Sequence, residues 1–305
     1  MDVLKGNTLK VPGASLYYEV RGEGPLLLLV AGGSADAGVY EPVAACLAGD
    51  YTVVTYDPRG NSRSPLDGPW EDQRIEVHSD DAHRLLGLLA AEPAYVFGSS
   101  SGAIVGLDLI ARHPGQVRVL VAHEPPAVEL LPDAAGQRAF FDEVHDTYRR
   151  VGVDAAMQRF AAGIGLGDQP PPQLPPSMVE MMARISANNE FFLAHEVRPF
   201  TRFVPDVPAL QATAARIVMA GGRDSRAHLP YRPAAALAER LGRHVAGFPG
   251  GHAGYMTQPA QFATRLTGVL TSAGARLAGW EATTLLAAGS AGPLALVRVS
   301  RRVRA

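Results

Sequence analysis

Tyr95-Val96-Phe97-Gly98-Ser99-Ser100-Ser101-Gly102-Ala103-Ile104-Val105-Gly106 reads as a short apolar strand, a run of residues with almost no side-chain bulk, and the start of an apolar helix. Gly98, Ser100 and Gly102 set out the pattern Gly-x-Ser-x-Gly. In mechanical terms a strand reverses sharply into a helix, and the residue at the apex takes strained backbone dihedrals. Glycine two positions to either side lets neighbouring backbone pass where a Cβ would clash. Ser100 is thereby held out above a sheet edge. The helix beneath it offers unpaired N–H groups and a partial positive charge, which suit a developing anion. The same five residues also fit a plain small-residue turn, so the decision rests on what surrounds them.

Upstream, Thr8–Val11 and Ser15–Val20 alternate apolar and polar residues around Pro12-Gly13, the pattern of a β-hairpin. Leu26–Val30 is a continuous apolar run between Gly24-Pro25 and Gly32-Gly33, which predicts a strand buried on both faces of a mainly parallel sheet. Tyr51–Tyr56 is the next strand and ends in the polar turn Asp57-Pro58-Arg59-Gly60-Asn61-Ser62. Helices are expected near Tyr40–Leu47, Asp80–Ala90 and Ala103–Ala111, and a further buried strand over Val117–Ala122 runs into His123-Glu124-Pro125-Pro126.

From Val128 to Pro208 no buried-strand run occurs; helical patches surround the proline cluster Pro170–Pro176. Strand signal returns at Arg216–Ala220, ending in Gly221-Gly222-Arg223-Asp224, and at Val245–Phe248, followed by Gly250-Gly251-His252 and a last helix near Pro259–Leu270. These alternations define an α/β class: a core of 1–127 and 209–272, a helical cap at 128–208, and a loosely ordered tail at 273–305.

Composition narrows the function. The 305 residues carry a formal net charge of -2, which offers no electrostatic footprint for nucleic acid. Met1–Lys5 lacks an apolar segment after a basic start, and the apolar run Ala282–Val297 is too short and weak to anchor in a bilayer. A cytoplasmic protein without nucleic-acid or membrane partners is therefore expected, with homodimerisation left open. The single cysteine, Cys46, excludes an intrachain disulfide and reads as a small core residue. Scattered histidines, one cysteine and the absence of phosphate-loop spacing give no metal or nucleotide pattern, so no cofactor and no metal are expected.

Three ingredients of acyl transfer stand in chain order: a serine on an elbow, acids at strand ends and a late histidine in a glycine-rich loop. A serine hydroxyl needs a base at neutral pH, and an imidazole can take its proton and return it to a leaving group. His252 stands in a glycine-flanked loop between the last strand and helix. His78, His83, His113, His145 and His195 lie on helices or their approaches and read as solvated or capping groups, while His123 adjoins the functional edge of the sheet and is a candidate to contact substrate. Two carboxylates could orient His252. Asp224 ends the strand before the helix that precedes it, but has Arg223 and Arg226 as easy ion partners. Glu124 ends an apolar strand before Pro125-Pro126, where a buried carboxylate is unfavourable unless something bonds it. That argument leans to Glu124 and leaves Asp224 open.

From about Ser15 to Leu270 the chain resembles the α/β-hydrolase superfamily. The likeness is carried by Ala31-Gly32-Gly33, by Asp57-Pro58-Arg59-Gly60-Asn61-Ser62, by the elbow around Ser100 and by Gly251-His252. Ser99-Ser100-Ser101-Gly102-Ala103 with His123-Glu124-Pro125-Pro126 is similar to serine hydrolases of the zearalenone-lactonase type. Ala31 and Asn61 depart from the family's usual histidine and glycine. The resemblance implies a mainly parallel sheet flanked by helices with an inserted cap, Ser100 as nucleophile and His252 as base. It also implies an oxyanion hole from the backbone N–H groups of Gly33 and Ser101.

The expected activity is cofactor-free cleavage of an ester or lactone of a small, largely apolar molecule. C–C bond hydrolysis, perhydrolysis and a non-catalytic binding role are the alternatives. Epoxide and haloalkane hydrolysis by an alkyl-enzyme need a carboxylate where Ser100 stands. Ser34, Phe191 and Phe192 join His123 as candidate substrate contacts, and other cap aromatics and methionines are expected either to line the pocket or to pack the cap itself.

Overall fold

A computed structural model describes residues 5–166 and 176–289. Strands β1 (Lys5–Val11) and β2 (Ala14–Arg21) form the hairpin. β3 (Leu26–Val30), β4 (Thr52–Tyr56), β5 (Ala94–Ser99), β6 (Val117–His123), β7 (Ile217–Gly222) and β8 (Ala246–Phe248) complete one eight-stranded sheet in the order β1-β2-β4-β3-β5-β6-β7-β8. The β1–β2 and β2–β4 pairs are antiparallel, and every pair from β4–β3 through to β7–β8 is parallel.

Leu27, Leu28 and Leu29 are each at most 1% exposed, because alternate residues point into different apolar layers on the two faces of the sheet. Each leucine buried this way contributes about 1.5–3 kcal/mol. One layer receives helices α2 (Ile75–Leu89) and α3 (Ser101–Arg112); the other receives α1 (Glu41–Leu47).

Between β6 and β7 every described element is helical: a short turn, then α4 (Ala134–Val151), α5 (Val153–Gly163), α6 (Pro176–Phe191), a π-helical segment Phe192–Glu196, α7 (Val197–Thr201) and α8 (Val207–Ala212). Val128, Phe141, Val144, Phe192 and Val197 form an apolar cluster of their own, separate from the two sheet layers. The proline-rich stretch 170–175 lies outside the described residues. After β7 come α9 (Tyr231–Arg240), α10 (Gly254–Thr257) and α11 (Pro259–Gly289).

Two expectations are corrected here. The part of the anticipated tail at 273–289 is a continuation of α11; Phe262, Leu266, Leu270 and Ala273 share one buried helical stripe, and the stripe does not stop at Leu270. Residues 290–305 lie outside the described residues. Cys46 is exposed, because α1 buries Val43, Ala44 and Leu47 and turns Cys46 to the opposite side. No helix among the described residues is long and apolar enough to cross a membrane.

The polar turn after β4 is a structural hub. Asp57, fully buried, accepts from the Ala37 amide at 2.9 Å, from the Arg63 amide at 3.0 Å and from Arg63 Nε at 2.8 Å. Arg59 reaches the buried Asp81 on α2 through a bidentate pair at 2.7 and 2.6 Å, the geometry in which a guanidinium best satisfies a carboxylate. The loop after β3 and the turn after β4 are thus fixed to each other and to α2.

Candidate active site

Ser100 sits at the apex between β5 and α3 with φ 55° and ψ −127°. Two neighbours show why the flanking residues are glycine. A Cβ on Gly98 would lie 2.2 Å from the Gly102 carbonyl oxygen, and one on Gly102 would lie 2.1 Å from the Val30 carbonyl oxygen. The backbone is closed around the elbow on both sides, and only the serine side chain is free to project.

His252 follows β8 in the loop before α10, and its Nδ1 is 2.6 Å from Glu124 Oε2. The other oxygen, Glu124 Oε1, accepts from the Gly222 amide at 2.8 Å. Glu124 takes φ 49°, a left-handed turn just past β6 that swings its side chain across the end of β7. Burial works to raise the Glu124 carboxyl. The His252 hydrogen bond and the Gly222 amide outweigh it and hold the group below the usual carboxylate range. Asp224 is exposed in the short turn after β7. Of the two candidate acids, the fold brings Glu124 to His252 and leaves Asp224 at the surface.

Ser100, Ser101, Gly33, Glu124 and His252 border one pocket. Its remaining walls are almost wholly apolar. Phe141, Phe160, Phe192 and Phe200 come from the cap, and Leu229 and Pro230 from the approach to α9. Thr201 is the other hydroxyl-bearing residue on the wall, and it donates to the Val197 carbonyl at 2.7 Å. No lysine or arginine is among the described lining residues.

Three of the anticipated substrate contacts lie elsewhere. His123 is fully buried beneath the sheet end among Phe97, Phe248 and Phe262, with Nδ1 3.3 Å from Ser99 Oγ. Burial drives its imidazole down to about 4 and keeps it neutral. Strand alternation explains the placement: Val119, Val121 and His123 share the face that packs away from the cavity. Phe191 stacks edge-on to Trp70, with ring centroids 5.3 Å apart, and covers Gly60. Adjacent helical residues diverge by about 100°, so Phe192 can face the cavity only if Phe191 turns away. Ser34 is buried and gives its carbonyl oxygen to Asn188 Nδ2 at 2.9 Å.

That last contact belongs to a set the sequence did not reveal. Asn188 of α6 also accepts from the Ser62 amide at 2.8 Å, and Arg184 Nε lies 2.7 Å from Asp36 Oδ2. The cap is therefore bolted to the loop that carries Gly33. Glu196, at the end of the π-helical segment, is 1% exposed; its Oε1 receives Asn61 Nδ2 at 3.4 Å, and its Oε2 finds no partner among the described residues. Asn61, one of the departures from the family turn, is thus the neighbour of this carboxyl. Glu196, His78, Ala31 and Ser101 enclose a small second cavity behind the Gly33 loop. His78 was expected to be solvated; it is buried instead, and desolvation lowers it to about 3.

Burial pushes the Glu196 carboxyl up to about 8, against a smaller opposing effect of Asn61. The folded protein then keeps a proton that the unfolded chain, with an ordinary value of about 4.3, has lost. Its stabilising effect is complete below the unfolded value and is lost as pH rises towards 8, at no more than about 1.4 kcal/mol per pH unit. Glu196→Gln should match the wild type near pH 4.5 and melt at a higher temperature than the wild type near pH 8. A melting-temperature difference that does not change with pH would contradict the neutral carboxyl.

His123, Glu124 and His252 are also the group of donors among the described residues that could hold a metal ion, all within 4.8 Å of one another. The short Glu124–His252 hydrogen bond engages two of them with each other.

With the elbow, the buried His–Glu pair and the capped sheet in place, comparison with known proteins agrees with the geometry. Residues 25–162 match the model of the alpha/beta hydrolase fold family. The chain belongs to the α/β-hydrolase family. It is 41% identical over 273 residues to the uncharacterized hydrolase YraK of Bacillus subtilis (strain 168), covering 88% of this chain and 96% of that one. Among solved structures, a hydrolase from Pseudomonas aeruginosa PA01 superposes with a TM-score of 0.66 at 23% identity, over 87% of this chain and 98% of its own. The enol-lactonase from Burkholderia xenovorans LB400 also gives a TM-score of 0.66, at 18% identity over 87% of this chain and 100% of that chain. These two likenesses are of fold.

Proposed function

We propose that this chain is a cofactor-free serine hydrolase that cleaves an ester or lactone of a small, uncharged, largely apolar molecule through an acyl-enzyme. The observation that carries the reading is Ser100 on its strained apex, bordering one apolar cavity with a histidine whose Nδ1 is held by the buried Glu124.

Ser100 Oγ attacks the carbonyl carbon, its proton passes to His252 Nε2, and the carbonyl π pair moves onto oxygen. Collapse of that intermediate breaks the bond to the leaving oxygen, which takes the proton from His252. In a lactone the freed alcohol stays tethered to the acyl group. Water then repeats the sequence on the acyl-enzyme and regenerates Ser100. Glu124 fixes the tautomer that leaves Nε2 free to accept, and stabilises the imidazolium between transfers. The wall, without lysine or arginine among its described residues, favours substrates lacking a carboxylate or phosphate, since a buried charge without a partner is strongly disfavoured.

The test is a panel of p-nitrophenyl esters of increasing chain length together with neutral lactones, assayed on wild type and Ser100→Ala. Turnover of neutral apolar members and rejection of dicarboxylic half-esters is expected. Preference for the charged members would contradict the pocket reading.

A further inference from the structure

We propose that the Ser101 hydroxyl is a catalytic hydrogen-bond donor to the oxyanion, an inference that rests on the serine-hydrolase reading above. The resemblance assigned the oxyanion hole to the backbone N–H groups of Gly33 and Ser101. In the structure the Gly33 N–H is already engaged: it donates to Ser101 Oγ at 2.8 Å. Gly33 takes φ +60°, a left-handed conformation that sets the direction of this amide. The loop cannot drift from the elbow, because Gly32 lies so close that a Cβ there would meet Ser100 Cβ at 2.7 Å and the Ser101 nitrogen at 2.8 Å.

A serine hydroxyl has one proton to donate and two lone pairs to accept with. With one lone pair taken by Gly33, the oxygen of Ser101 is fixed and its proton is free to be aimed. Ser101 is 7% exposed and lies on the wall of the cavity that holds Ser100 and His252. It is also the first residue of α3, where an N–H has no acceptor within the helix. The two donors nearest the attacked carbonyl are then the N–H and the O–H of one residue at a helix N-terminus, and Gly33 acts as the group that positions the second. As Ser100 Oγ bonds to the carbonyl carbon and its proton goes to His252, the new oxyanion accepts both hydrogen bonds; no proton leaves Ser101.

The competing arrangement is that the hydroxyl merely occupies the Gly33 N–H and swings aside when substrate binds. The two make opposite statements about Ser101→Ala. If the hydroxyl donates, kcat on a neutral p-nitrophenyl ester falls by about 10²–10³, the loss typical of one oxyanion donor, with KM little changed. If it only occupies the amide, removal leaves the rate unchanged or raises it, and the proposal is overturned. A second readout separates donation from structural support. The same variant is assayed on the matching thionoester, whose sulfur is a poor acceptor. The wild-type preference for oxygen over sulfur should shrink by about tenfold or more in Ser101→Ala. A fall in kcat with that preference intact would also overturn the proposal. Ser101→Thr, which keeps a hydroxyl, should retain more activity than Ser101→Ala at equal melting temperature; equal losses in both count against donation. Labelling of Ser100 by a fluorophosphonate in each variant shows whether the serine-hydrolase reading itself stands. Loss of labelling in the wild type would bring down that reading instead.

Discussion

Ser100→Ala is expected to fold as the wild type does and to lose ester-hydrolysing activity by about 10⁴-fold or more, the scale seen when the attacking group of a serine enzyme is removed. The elbow is shaped by Gly98 and Gly102, whose close contacts are with backbone atoms. Alanine at the apex therefore meets the same φ of 55° that serine already tolerates, and the melting temperature should hardly move. Loss of rate without loss of fold separates a missing nucleophile from a damaged scaffold. Retention of more than about a tenth of wild-type turnover would rule out Ser100 as the covalent centre.

The second large effect concerns the carboxylate that orients His252. Glu124→Gln should lower kcat by about 10³-fold or more, because a neutral amide no longer fixes the reactive tautomer or stabilises the imidazolium. Asp224→Asn should stay within about threefold of wild type, as expected of a surface residue that touches neither reacting group. The asymmetry follows from position. Glu124 is 1% exposed, with one oxygen on the Gly222 amide and the other on His252 Nδ1, whereas Asp224 is exposed. A large loss in Asp224→Asn with a near-normal Glu124→Gln would reverse the assignment. Acid should also act through Glu124. Its folded value is depressed, so the stability it contributes is complete above the ordinary carboxylate range and is lost as pH falls through the folded value.

Much of this was legible in the residues because local rules act there without help from tertiary contacts. Leu26–Val30 is a strand with the bounds its apolar run announced, and Gly-x-Ser-x-Gly marks a place where backbone crowding requires glycine on both sides of a serine. The burial argument for Glu124 also came from its immediate neighbours. What was missed depended on periodicity not followed far enough or on contacts distant in sequence. His123 belongs to the face of Val119 and Val121, and Ala273 to the stripe of Leu266 and Leu270; both were readable by counting. Cys46 falls off the buried stripe of α1 by the same count. Glu196, Asn188 and Arg184 offered no such signal. Their partners Asn61, Ser62 and Asp36 lie more than a hundred residues away, and only the docking of the cap on the core brings them together.

In the proposed reaction Ser100, His252 and Glu124 work as one covalent machine, and labelling with a fluorophosphonate followed by intact-mass and peptide mapping tests it most directly. One adduct per chain is expected, on Ser100, forming quickly in the wild type, slowly in Glu124→Gln and not at all in Ser100→Ala. An adduct on Ser99 or Ser101, or continued ester turnover by protein that carries no adduct after full exposure, would contradict it.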